Sequence, residues 1–336
     1  MKRLIHGAHV LAALALAAAC LGPARAAETL RVGWGVGTTY LPLQIMADRK
    51  LVEKRAAAMG IADLAMQWSS FGSATAMNDA LLSGSIDLGS GGVSTFMPLW
   101  DKTRKSNPVM GVGALSAMPM YLVTRNPAVR TVRDFTARDK IAVAGIKVSY
   151  QAMILQMAAA QAFGEREYAR LDPLTVTRSN SDGVIALLGG GEITAHISPP
   201  PFSTRELADP ATHLVLNSYD VLGGPATLTM VWGGARFREQ RPKVYAAFVA
   251  ALKEAQEIIN ADLQEAAATY LRVSGDKAST VQAIHDVIAE KNVEWTAVPN
   301  GTFKVAEFMA RIGTISRAPA SWKDLFFPEL HDAPGS

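Results

Sequence analysis

Cysteine is nearly absent from this chain, with one residue, Cys20, in 336. A disulfide framework and a cysteine-built metal or redox centre are therefore excluded. Charge of one sign is also missing, since 33 Lys and Arg stand against 30 Asp and Glu. Lys2, Arg3 and Arg25 fall within the first 26 residues, and the remainder is balanced. A balanced chain has no overall attraction for nucleic acid, and none is expected as a partner. No apolar run beyond residue 26 approaches the ~20 residues that a membrane helix needs. Beyond residue 26 the histidines His196, His213, His285 and His331 are scattered, without metal-ligand spacing, so no metal is expected. Glycine runs at Gly33–Gly37 and Gly89–Gly92 stop short of a dinucleotide fingerprint, because Thr38 and Ser94 stand where the third glycine belongs. No phosphate-binding loop and no G-x-S-x-G elbow occur either, which leaves no cofactor and no familiar nucleophile.

What is present begins with a leader. Lys2 and Arg3 precede an apolar run from Val10 to Leu21, and Ala24-Arg25-Ala26 offers small residues to a signal peptidase. Residues 1–26 are thus expected to be removed on export to the periplasm. Cleavage there discards Cys20. A cut just before Cys20 would instead leave a lipid anchor, but Leu16 lies one place too far upstream for that pattern, so anchoring is the lesser alternative. The rest is long enough for two domains, and 49% hydrophobic residues suffice for both cores.

Two segments about a hundred residues apart have the same plan: Leu81 to Leu88 (LLSGSIDL) and Leu188 to Ala195 (LGGGEITA). Each reads as a helix closed by glycine and followed by a strand. Strands are predicted at 30–34, 65–68, 86–89, 109–115, 121–124, 140–144, 174–177, 194–198, 214–216 and 228–232. Helices are predicted between them, notably 40–49, from Thr95 to Arg104, and 150–163. Past residue 240, apolar stripes at 3.6-residue spacing announce further helices, such as Val244, Phe248, Ala251, Leu252 and Ala255. Alternation of this kind predicts an α/β protein with parallel sheets, whose ligands gather at the carboxyl ends of strands. One lobe is expected from 27–119 and 220–336, the other from 120–219.

Four stretches carry a resemblance: Leu30 to Asp48, Ala80 to Gly92 (ALLSGSIDLGSGG), Val129 to Val143 (VRTVRDFTARDKIAV) and Ser321 to Phe327 (SWKDLFF). In order and spacing the chain resembles the substrate-binding proteins of nitrate, sulfonate, taurine and thiamine-precursor ABC importers. The resemblance implies a two-lobed periplasmic-binding-protein fold of the type with two crossover strands, plus C-terminal helices. It also implies a ligand clamped between lobes, and a membrane permease with its ATPase as partners to a monomer. Hinge strands near Tyr121 and Leu216 would absorb the closure. Two departures stand out: Thr194-Ala195-His196 occupies a place where the family often has aspartate, and Ser198-Pro199-Pro200-Pro201-Phe202 replaces an aromatic and acidic stretch. One branch of that superfamily is enzymatic, with a cysteine-rich motif this chain lacks, so a non-enzymatic receptor is expected. A sensor subunit reporting to a membrane kinase is the remaining alternative.

Three small-residue turns precede helices: Thr38 and Thr39, Gly92-Val93-Ser94 with Thr95, and Val148-Ser149. A helix start presents unpaired N–H groups and a positive dipole end, so three that converge would hold an anion without a lysine. The alternative is that the hydroxyls only cap their own helices, worth ~1 kcal/mol each. Aromatic residues Trp34, Tyr40, Phe71, Tyr150, Phe202 and Trp232 lie beside these turns and could pack on a ligand's organic part. Tyr40 and Tyr150 are preferred as first residues of their helices, and Phe71, Pro199 and Pro200 complete the expected site. No arginine stands among these turns, which suits a small organic anion with an apolar body, sulfonate-like or carboxylate-like, better than nitrate.

Overall fold

The computed structural model describes residues 28–336. The expected leader and the fate of Cys20 lie outside the described residues.

Among the described residues, ten strands form two five-stranded sheets. The first contains β1 (Thr29–Trp34), β2 (Ala65–Ser70), β3 (Leu88–Gly92), β4 (Val109–Ala117) and β10 (Thr227–Gly234), in the order β2-β1-β3-β10-β4. The second contains β5 (Tyr121–Thr124), β6 (Ile141–Val143), β7 (Thr175–Thr177), β8 (Ala195–Ser198) and β9 (His213–Asn217), in the order β7-β6-β8-β5-β9. The expectation of parallel sheets holds for half of each: the strand that crosses over from the other lobe's side of the chain, β10 in one sheet and β5 in the other, runs antiparallel to both neighbours. β1 pairs in parallel with β2 and β3, and β6 with β7 and β8. β10 runs against β3 and β4, and β5 against β8 and β9.

The chain passes between sheets twice. It leaves β4 through Met118–Met120 and returns from β9 through a short helix. The two passages are tied together, for Ser218 donates its N–H to the Met120 carbonyl at 2.8 Å and accepts the Met120 N–H on its hydroxyl at 2.9 Å. Among the described residues, only one stretch in each direction joins the two sheets.

Thirteen α-helices among the described residues cover the sheets. In chain order they are α1 (Leu41–Arg49), α2 (Leu51–Ala58), α3 (Ala74–Leu82), α4 (Val93–Thr103), α5 (Tyr150–Phe163), α6 (Asn180–Leu188), α7 (Phe202–Leu207), α8 (Ser218–Leu222), α9 (Ala235–Gln240), α10 (Pro242–Ala261), α11 (Leu263–Ser274), α12 (Val281–Ile288) and α13 (Thr302–Arg311). The stripe read from Val244 to Ile259 is the buried face of α10, which packs on α1 and α2. α5 is buried nearly all round, from Tyr150 to Ala160, with α8, the turns at Val132–Asp134 and Glu165–Glu167, and α4 of the other lobe packed against it. None of the described helices is long and apolar enough to cross a membrane.

Sequence periodicity and structure part company at β3. The strand was expected at 86–89 with Ser90-Gly91-Gly92 as a loop, yet β3 runs from Leu88 to Gly92 and α4 starts at Val93 rather than Thr95. These glycines lack β propensity, but β10 supplies pairing along the whole segment, Thr229 opposite Gly92 and Trp232 opposite Gly89. Tertiary pairing overrides the local preference. The short helices α2, α7 and α8 had no apolar stripe long enough to announce them.

Candidate functional site

Facing each other across the gap between sheets are the ends of β1 and β3 on one side and of β6 and β8 on the other. After β1, Gly37 turns the chain with φ 120°, a conformation that disfavours any side chain, into a 3-10 turn over Thr38–Tyr40 that leads into α1. Thr38 and Thr39 are buried. Thr38 Oγ1 donates to the Pro200 carbonyl at 3.1 Å, a direct bond from one lobe to the other. The Thr39 carbonyl is held from beneath by Thr229 Oγ1 at 2.9 Å and Ser116 Oγ at 3.4 Å.

After β3, Gly92 precedes α4 without contributing any side-chain cap, and Ser94 falls inside the first turn. Ser94 is 1% exposed, and its hydroxyl has no hydrogen-bond partner among the described residues. Opposite stands the start of α5. A Cβ placed on Gly92 would lie 3.1 Å from the Tyr150 Cβ. Two helix beginnings from opposite lobes thus meet almost in contact, although their dipoles present the same positive end.

The three turns differ in what their hydroxyls do. Ser149 is a true N-cap, accepting the Ala152 N–H at 3.2 Å. Thr38 bridges the lobes, and Ser94 is free. The capping alternative therefore describes Ser149 alone. Ser149→Ala should cost about 1 kcal/mol of stability, measurable as a shift in urea midpoint at unchanged slope.

Tyr150 is the first residue of α5, as expected, whereas Tyr40 closes the 3-10 turn and precedes α1. Burial pushes the Tyr40 phenol up to about 12 and raises that of Tyr150 as well, so both stay protonated near neutrality. Pro199 and Pro200 are buried, and the Pro199 carbonyl accepts the Phe202 N–H at 3.1 Å, which starts α7. The Phe202 ring lies 3.5 Å from where a Cβ on Gly37 would be.

The other expected site residues differ in burial. Val93 is fully buried in the core of its lobe, and Val148 is 58% exposed. Phe71 is half-buried with its ring against Gly33, within the first lobe. Trp34 stacks on Trp68 with centroids 5.0 Å apart, and Trp232 is buried against Phe96. Residues the sequence did not single out include Gly37, Ser116 and Thr229. Only Gly37 had a signal, standing before two threonines.

Residues 24–273 match the family model described as the NMT1-like family. The chain belongs to that family. Solved structures share its fold at low identity. The alkanesulfonate-binding protein of Xanthomonas axonopodis pv. citri is 21% identical, with a TM-score of 0.65 over 86% of this chain and 92% of that one. The periplasmic aliphatic sulphonate binding protein of Escherichia coli is 20% identical, with a TM-score of 0.62 over 85% and 90%. The periplasmic nitrate-binding protein of Synechocystis is 18% identical, with a TM-score of 0.65 over 88% and 83%. No curated protein matches the chain.

In this NMT1-like protein, His196 takes no part in the meeting of turns. It is fully buried, with Nδ1 2.5 Å from Glu206 Oε1, while Ser198 Oγ donates to Glu206 Oε2 at 3.4 Å. The ring lies against α6, where a Cβ on Gly183 would come within 2.5 Å of it. Nδ1 is satisfied as a structural histidine requires, but Nε2 has no partner among the described residues. The pair bolts α6 and α7 to β8 just behind Pro199–Phe202. Two surface cavities, of about 400 Å³ beside Leu222 and Trp322 and about 410 Å³ beside Pro242 and Tyr245, lie outside the gap between lobes.

Proposed function

We propose that this protein is the solute-binding component of an ABC importer, closing on a small organic anion and delivering it to a membrane permease and its ATPase. The lobes are 27–119 with 220–336, and 120–219, and the mature chain acts in the periplasm as a monomer without catalysis. One observation supports this above the others: the starts of α4 and α5 meet from opposite lobes, and the buried Ser94 hydroxyl in the first turn of α4 has no partner among the described residues. Like dipole ends repel, and a buried hydroxyl without a partner is costly. An oxyanion between them would relieve both. The alkanesulfonate-binding and nitrate-binding neighbours share the fold that brings these turns together.

Two measurements test the reading. In a melting-temperature screen of the mature protein against sulfonates, carboxylates and nitrate, a ligand at a hundred times its dissociation constant should add about 2.7 kcal/mol. No response to any oxyanion would end the proposal. Ser94→Ala should leave the ligand-free protein as stable or more so, since it removes an unpaired hydroxyl, yet weaken the responding ligand about tenfold or more. Unchanged affinity would place the anion elsewhere.

A further inference from the structure

Between α11 and α12 the chain makes a turn, Gly275–Thr280, whose two ends are fixed. Gly275 closes α11 at φ 66°, and Thr280 caps α12 by accepting the Ala283 N–H at 3.1 Å. Inside the turn, Asp276 Oδ1 accepts the Ala278 N–H and Oδ2 accepts the Ser279 hydroxyl, each at 2.8 Å. Burial raises the Asp276 carboxyl, but these hydrogen bonds and the Arg205 charge outweigh it and hold the group below its usual range. It is ionised at neutral pH. The turn follows β10 in the chain and so belongs to the lobe of the first sheet.

The cation it meets comes from the other lobe. Arg205 lies in α7, after β8 of the second sheet, and its Nη2 donates to Asp276 Oδ2 at 2.8 Å and to Ser279 Oγ. All three side chains are half-buried. Five residues earlier, Thr38 holds the Pro200 carbonyl, so Pro200–Arg205 is tied to the first lobe at both ends. From these contacts we propose that Arg205, Asp276 and Ser279 form an interlobe latch that biases the ligand-free protein toward the closed arrangement, setting ligand affinity from outside the candidate site. The proposal rests on the reading of two lobes that close on a ligand, and adds the residues that tune the closure. Most surface ion pairs contribute little because two long side chains must be ordered, but here the acceptor is already fixed by its own turn. The other flank offers a contrast. Arg311 of α13 stands 3.4 Å from Glu165 of the second lobe with both side chains exposed, a pair with no such support.

The deciding measurement needs no ligand. Spin labels on Leu82→Cys and Ile185→Cys, exposed positions of α3 and α6 in different lobes, report the interlobe distance in residues 27–336, which hold no other cysteine. Arg205→Ala and Asp276→Asn should each raise the ratio of open to closed molecules about fivefold. Combined, they should do no more than either alone, because both remove one interaction. Unmoved distances or additive shifts overturn the proposal, and so does an equal shift in Arg311→Ala. Propane-1-sulfonate titrated into the unlabelled proteins reads the consequence, a dissociation constant raised in Arg205→Ala by up to the same factor. If wild type responds to no oxyanion, the anion reading falls, and the distance comparison still decides the latch.

Discussion

Replacing Glu206 with alanine should remove about 3–5 kcal/mol of stability, the usual consequence of breaking a fully buried ionic or hydrogen-bonded pair. His196 would keep its place in the core, 0% exposed, with neither ring nitrogen partnered. Ser198 would lose its acceptor as well. In a protein of this size the melting temperature should fall on the order of 10 °C. Glu206→Gln retains an acceptor for Nδ1 and should cost clearly less. The double replacement of His196 and Glu206 by leucine tests what the pair is for, since apolar substitutes of similar volume are often neutral. A loss below 1 kcal/mol for Glu206→Ala, read from urea unfolding, would show that the pair is not holding α7 to β8.

The second large effect concerns closure. Gly92→Val puts a Cβ 3.1 Å from the Tyr150 Cβ and adds two methyl groups beyond it. Gly92 has φ −67°, which valine adopts freely, so the backbone itself is not strained. The clash exists only when the lobes meet. Opened lobes accommodate the valine, and the ligand-free melting temperature should change by no more than a few degrees. Because the ligand gains affinity from the closed state, its binding should weaken a hundredfold or more. Propane-1-sulfonate titrated into wild type and variant gives the affinity ratio, and solution scattering reports whether the variant is more extended. Equal affinities would mean that the α4 and α5 starts do not approach in the bound state.

How far the fold was legible depends on the element. α5 and the buried face of α10 could be read directly, because an unbroken apolar pattern over more than ten residues admits few other structures. β8 and β9 were found to within a residue at each end, since each is bounded by turn residues or by an abrupt change in polarity. β3 was misplaced because glycine has no side chain to display a period. Its neighbours β1 and β10, the latter nearly 140 residues away in sequence, decide its course.

The candidate site was legible in kind but not in arrangement. Thr38, Thr39, Ser94, Ser149 and Tyr150 can be picked out as residues at helix starts. Their different tasks cannot, for a hydroxyl that caps, one that bridges lobes and one left free look alike in a string of letters. Val93, Val148 and Phe71 share the same local context, yet Val93 is fully buried, Val148 is exposed and Phe71 is half-buried against Gly33. His196 could be read as structural, but Glu206 as its partner depended on α7, a six-residue helix without a sequence signal.

By itself the sequence determined the alternation of strand and helix, the uncharged character of the turns and the order of two similar halves, because composition and periodicity are local properties of the chain. Tertiary structure alone decided which turns face each other. The Gly92 and Tyr150 approach and the Thr38 to Pro200 bond join residues 58 and 162 positions apart. Such contacts depend on how two sheets joined by two short passages settle against one another, and no nearest-neighbour preference records that.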